Sequence, residues 1–216
     1  MADSVIVIGA GGHASVVADA VLAAGGTVIG FTDADHTRHG LLVCGLPVLG
    51  DDRVLSRHDR TTVRLANGLG TIGGPHDERR RIVQEQLSDD GWQFVTVRHP
   101  AAIVSRFATV ADGAQLLALS VVQAGARIGT GVIINTSAVI EHDSSIGAWT
   151  HVAPGAVVCG GVQVGERSLI GAGAIIRQQV VIGSECLIAA GAVVVKCVAS
   201  RGIVAGVPAQ PLRVHP

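Results

Sequence analysis

The densest run of chemically capable side chains is Asn135-Thr136-Ser137-Ala138-Val139-Ile140-Glu141-His142-Asp143-Ser144, with His151 shortly after it. The sequence around it is mostly Ala, Gly, Gln and Val. Histidine, with an ordinary pKa of about 6.5, takes up and returns a proton near neutrality. An acid next to it in the chain accepts a hydrogen bond from one ring nitrogen and raises the basicity of the other. His142 and Asp143 therefore read as a general base and its support; the plain alternative is an exposed polar residue on a turn. No Cys or Ser is paired with His142 in a recognisable nucleophile motif, which favours direct attack by a substrate over a covalent enzyme intermediate.

A second group is Val5-Ile6-Val7-Ile8-Gly9-Ala10-Gly11-Gly12-His13-Ala14. A glycine-rich loop that opens a helix after an apolar run gathers unpaired N–H groups on a phosphate. Asp33 comes next, where an acid can meet a ribose or base. These features suit any nucleotide diphosphate, and alone they leave a nicotinamide or flavin enzyme open. The segment before residue 98 is too short for both halves of a dinucleotide fold, and the remainder of the chain is a solenoid rather than a second catalytic domain for hydride transfer.

The elements that must hold these groups differ between the two ends of the chain. Residues 5–8 read as a buried parallel strand and residues 13–24 as a helix with Ala14, Val17, Ala18 and Val21 on one side. Residues 27–31 and 63–66 read as further strands, the latter ahead of Asn67-Gly68, and a second helix is expected over 77–87. Arg79-Arg80-Arg81 on that helix reads as a solvated face rather than a phosphate clamp. The pattern is an α/β domain, half of a Rossmann-type βαβ fold, over residues 1–97. Arg98-His99-Pro100 makes a short extended connection, since proline disfavours helix at the residue before it.

From Val104 onward every sixth residue is aliphatic: Val104, Val110, Leu116, Val122, Ile128, Ile134, Ile140, Ile146, Val152, Val158, Val164, Ile170, Ile176, Ile182, Ile188 and Val194. The residue two places earlier is usually small or β-branched, as at Ala102, Ser120, Ala138, Ser144 and Thr150. Glycine comes after the aliphatic position at 129, 147, 165, 171 and 183, where a turn is expected to need a residue without a Cβ. This period describes a parallel β-helix of hexapeptide repeats, three to a coil, over residues 98–216. Stacked one coil from His142 are Gly160 and Ala124, which should leave open space around the imidazole. His151 lies half a coil away, so the two histidines face different sides and share a site only across a subunit boundary. A trimer of prisms meets that requirement.

Composition agrees with a solenoid: 29 glycines and 2% aromatics leave a core filled by small and branched side chains. A net charge of −1 invites neither nucleic acid nor an anionic membrane. Met1-Ala2-Asp3-Ser4 opens no secretory signal, no apolar run reaches membrane-spanning length, and a cytoplasmic protein is expected. Cys44, Cys159, Cys186 and Cys197 show neither zinc nor disulfide spacing and read as reduced thiols.

The hexad register and the segment from Ile134 to Asp143 resemble the hexapeptide-repeat sugar acetyltransferases of the NeuD and PglD type. That resemblance implies a left-handed β-helix, a homotrimer, and acetyl-CoA as co-substrate with no metal. It implies His142 as general base supported by Asp143, and His151, Ala172 and Ala190 as acetyl-CoA contacts. Gly11, Gly12, His13, Asp33 and Gly68 match the nucleotide-sugar site, and Asn135 falls in the catalytic segment as a further substrate contact. His13 either touches substrate or merely occupies the first helical turn. The tail from Gly206 to Arg213 is similar to the family's closing segment, with Gln210 where lysine is usual. The implied activity is N-acetylation of a nucleotide-linked deoxyamino sugar for glycan synthesis, with the nucleotide end held by the first domain. The alternatives are O-acetylation of a sialic-acid-type sugar and a non-enzymatic scaffold. A γ-type carbonic anhydrase is disfavoured, since it needs three zinc histidines and the repeats from Val104 to Val194 offer only His142 and His151.

Overall fold

The computed structural model describes residues 4–71 and 78–212. Residues 4–70 with 78–100 form one compact unit, and residues from 101 onward form the main part of the other.

In the first unit, β1 (Ser4–Ile8), β2 (Thr27–Thr32), β3 (Leu42–Val43), β4 (Leu46–Gly50) and β5 (Val63–Asn67) make one sheet in the order β3-β4-β2-β1-β5. Both neighbours of β1 run parallel to it. The residues from Val5 to Ile8 are buried at 2% exposure or less, as a central parallel strand requires. Helix α1 (Gly12–Ala23) covers the sheet with Ala14, Val17, Ala18 and Val21, the expected stripe.

The three expected strands are present, and the structure adds an edge hairpin, β3 with β4. Its two-residue turn is Cys44-Gly45 with φ of 51° and 76°, the double left-handed geometry that closes tight hairpins. Cysteine in place of the usual Asn or Asp hid that turn from sequence reading.

Helix α2 spans Arg79–Asp89; Asp77, the expected start, lies outside the described residues. The solvated-face reading of Arg79-Arg80-Arg81 is corrected here. Arg80 is 4% exposed and lies with Gln84 and Leu87 on the buried stripe of α2. Arg81 pairs with Glu78 at 2.5 Å and Glu85 at 2.6 Å, and only Arg79 is exposed. The helix seats a polar face: the Asn67 amide donates to the Arg80 carbonyl at 2.9 Å and to Gln84 Oε1 at 3.0 Å.

The second unit is a parallel β-helix with three walls. Two-residue strands begin at Ile103–Val104, Thr109–Val110 and Gln115–Leu116 and recur every 18 residues in parallel register, as in the pairing of Val121 with Val139 and Arg127 with Ser145. Each of the sixteen strands from Ile103–Val104 to Val193–Val194 ends on one of the sixth-position aliphatics. From Leu116 to Val194 these side chains are no more than 4% exposed and form one continuous core. The small residues two places earlier fill the corners of that core. Ser144 Oγ donates to the Cys159 carbonyl at 2.8 Å and Thr150 Oγ1 to the Gly165 carbonyl at 2.9 Å, whereas the buried Ser120 Oγ has no hydrogen-bond partner among the described residues.

The glycines after the aliphatic positions have a different cause from the one expected. None has a positive φ. A Cβ at Gly147 would stand 2.5 Å from the Glu166 nitrogen and one at Gly171 2.5 Å from the Ala190 nitrogen, so the coil above leaves no room for a side chain. The left-handed residues sit two places later, at every sixth position from 113 to 191, and half of them are not glycine, Asp143 among them. The end of the unit folds back as a short hairpin pairing Val204 with Pro211; Arg213 of the closing segment lies outside the described residues.

Candidate active site

Two groups of candidate residues occur on the β-helix. Ile140 points into the core, Glu141 and His142 turn the corner, Asp143 takes φ of 60°, and Ser144 returns inward. The corner is tied to both neighbouring coils: the Asp143 N–H donates to the Ala124 carbonyl at 3.1 Å, and the Gly161 N–H to the His142 carbonyl at 2.9 Å. Aspartate tolerates the left-handed region better than most residues, so it can serve this turn and still present its carboxylate.

His142 Nδ1 lies 2.8 Å from Asp143 Oδ2. A carboxylate only accepts, so Nδ1 carries the proton and Nε2 keeps its lone pair. The hydrogen bond that His142 donates to Asp143, then the charges of Asp143 and Glu141, hold the His142 pKa above its ordinary 6.5. The side chains are 64% and 73% exposed, so the pair is open to a reactant.

The expected open space beside His142 is corrected in detail. The imidazole itself lies over Gly160, where a Cβ would stand 2.6 Å from Nε2 and 2.8 Å from Cε1. The Asp143 carboxylate likewise lies over Gly125, where a Cβ would collide with Oδ1. Two glycines one coil away in opposite directions thus make the room in which the dyad forms.

The second group is on another wall. His151 opens the strand His151–Val152 with a side chain 9% exposed, and its Nε2 lies 3.1 Å from Asn135 Nδ2. Ala172 and Ala190 stack one coil apart at the corner beyond this wall, both exposed. Their N–H groups meet no acceptor among the described residues, and the Ala172 carbonyl accepts from Gly191 at 2.8 Å. His142 and Asp143 are together, and His151 is together with Asn135; within one chain the two groups belong to different sides of the prism.

In the first unit, Gly11 caps α1 and Gly12 begins it, and a Cβ at either would meet nothing within 4 Å. Their outward side is open to an anion at the helix start. His13 is in the first turn and packs on Gly70, where a Cβ would stand 3.2 Å from its own Cβ. Gly68 is demanded by packing: a Cβ would stand 2.6 Å from Val7 and 2.7 Å from the Ala14 methyl. Asp33 accepts from the Ala10 N–H at 2.9 Å through Oδ2 and from the Asp35 N–H at 2.9 Å through Oδ1, so it braces the glycine loop.

Sequence reasoning missed Arg38, whose guanidinium donates to the Ala10 carbonyl at 2.7 Å, so that Ala10 is held through its C=O by Arg38 and through its N–H by Asp33. It also missed a cleft of about 420 Å³ lined by His36, His39, Gly50, Asp51, Arg53 and Arg57. The Arg53 guanidinium beside Asp51 lowers that carboxyl to about 2. Among the described residues no group of His, Cys, Asp and Glu could hold a metal ion, and no helix is long and apolar enough to cross a membrane.

Residues 4–86 match the PglD N-terminal domain, and residues 161–196 match the bacterial transferase hexapeptide repeats. The chain is 36% identical to perosamine N-acetyltransferase from Caulobacter crescentus, crystallised as a histidine-to-asparagine variant with CoA and GDP-perosamine; the match covers 97% of this chain and 96% of that one, TM-score 0.89. It is 36% identical to the acetyltransferase domain of PglB from Neisseria gonorrhoeae in complex with acetyl coenzyme A, covering 98% and 100%, TM-score 0.90. WeeI from Acinetobacter baumannii shares the fold, with 22% identity over 96% and 99% and a TM-score of 0.81. No curated protein matches the chain by sequence.

Proposed function

The chain belongs to the hexapeptide-repeat sugar acetyltransferases of the NeuD and PglD type, left-handed β-helix acyltransferases, and on that premise we propose that it moves acetyl from acetyl-CoA to the amino group of a nucleotide-linked deoxyamino sugar. The observation that carries this reading is the exposed His142–Asp143 pair, proton on Nδ1 and lone pair on Nε2. The relative from Caulobacter holds GDP-perosamine and CoA, and that from Neisseria holds acetyl-CoA, which supports this substrate class.

In this reading the sugar amine attacks the thioester carbonyl while His142 Nε2 takes the proton it sheds. The tetrahedral intermediate collapses with loss of the coenzyme thiolate, which takes that proton back from the imidazolium. His151 and the N–H groups of Ala172 and Ala190 contact acetyl-CoA, and Asn135 lies beside His151. In the first unit Gly11, Gly12 and His13 receive the diphosphate end, with Asp33 and Gly68 shaping the loop. Because His142 and His151 lie on different sides of one prism, the working enzyme is a homotrimer whose sites use one group from each of two chains.

The test is to incubate the protein with acetyl-CoA and a panel of GDP-, UDP- and dTDP-linked 4-amino sugars and follow free thiol. Thiol release matched by amide formation on one of them supports the proposal. Release only with hydroxyl acceptors would replace it with O-acetylation. No release with any member would contradict it.

A further inference from the structure

The two histidines of the β-helix are held in opposite ways. At His142 a carboxylate faces Nδ1, which stabilises a protonated ring. At His151 an amide faces Nε2 at 3.1 Å, and the far end of that amide decides which partner donates. Asn135 Oδ1 accepts the Thr136 backbone N–H at 2.8 Å and the Thr136 hydroxyl at 3.4 Å. A backbone N–H can only donate, so the atom facing it is the oxygen, and the atom facing His151 is the NH₂ group. That group also only donates, so Nε2 must supply its lone pair and the ring's single proton sits on Nδ1. An imidazolium, with donors on both nitrogens, would face the amide donor to donor.

We propose that Asn135 is a positioning residue: anchored by Thr136, it holds His151 as the neutral Nδ1–H tautomer with Nε2 occupied, which leaves His142 as the only proton acceptor of the two. The tautomer is read from the Asn135 amide that faces Nε2, and the Nδ1 that then carries the proton is buried. Its consequence for acetyl-CoA, a ring of fixed orientation and no charge beside the coenzyme, rests on the acetyl-transfer reading.

The test is imidazole ¹⁵N NMR on the full chain labelled at histidine, at neutral pH without ligand. The expected spectrum shows His151 with a protonated Nδ1 and an unprotonated Nε2. Asn135→Asp, nearly isosteric, puts an acceptor opposite Nε2 and moves the proton there, as an Nε2–H ring or an imidazolium. A wild-type His151 protonated on Nε2 would overturn the proposal without any variant, and so would an unchanged spectrum in folded Asn135→Asp. In the acetyl-transfer assay, Asn135→Asp should raise KM for acetyl-CoA about tenfold and leave the acid limb of the kcat profile in place. A shifted limb would assign the proton to His151 and overturn the division of roles. If no nucleotide sugar is acetylated the functional reading fails, while the spectrum still judges the tautomer.

Discussion

His142 and Asp143 can meet as a pair because each lies over a glycine one coil away. The imidazole occupies the place of a Gly160 side chain and the carboxylate that of a Gly125 side chain. Gly160→Ala should therefore displace the ring, lowering kcat about tenfold or more while the melting temperature changes by only a few degrees; an unaltered kcat would show that the ring position is not needed. The pH dependence has a definite sign. Asp143 raises the His142 pKa, so the base is freed above its ordinary range, and the rate rises with pH through that raised value. Asp143→Asn removes the charge and leaves a neutral amide oxygen as the acceptor at Nδ1, so the acid limb of the kcat profile moves to lower pH and the plateau falls with the weaker base. His142, Asp143 and Gly160 were legible because an 18-residue coil turns sequence spacing into neighbourhood. Arg38 was not, because its grip on the Ala10 carbonyl depends on how a short turn after β2 folds back over the glycine loop.

At the scale of elements, the sixth-position aliphatics marked the sixteen strands of the prism from Ile103–Val104 to Val193–Val194 because one inward side chain per strand is the rule that builds them. The reason for the glycines next to them was not legible, since sequence shows that a Cβ is absent but not whether dihedral angle or crowding forbids it. Here crowding does. Gly147→Ala would push a methyl to 2.5 Å from the Glu166 nitrogen, and because backbone cannot yield like a side-chain tip the cost should be at least about 1–3 kcal/mol in chemical denaturation. Gly173→Ala, with nothing within 4 Å but φ of 66°, should cost nearer 1 kcal/mol, through strain alone. Equal losses in the two would contradict the distinction. The β3–β4 hairpin escaped notice for a related reason: Cys44 adopts a left-handed conformation that its residue type does not advertise.

The whole molecule places one candidate group at the His142 corner and the other on the wall that carries His151, and a single prism cannot turn both toward one reactant. That much was legible from a spacing of half a coil, whereas the partner chain that would complete the site leaves no mark in one sequence. In the proposed mechanism His142 of one chain and His151 of the next serve a single acetyl transfer. Coenzyme A release can be measured with a 4-amino nucleotide sugar for wild type, His142→Ala, His151→Ala, and the two variants refolded together. The single variants should lose nearly all activity, and the mixture should regain about a quarter of the wild-type rate, the share of interfaces that pair an intact His142 with an intact His151. A His142→Ala protein that keeps most of the wild-type rate at saturating substrate, or a mixture no more active than its parts, would contradict it.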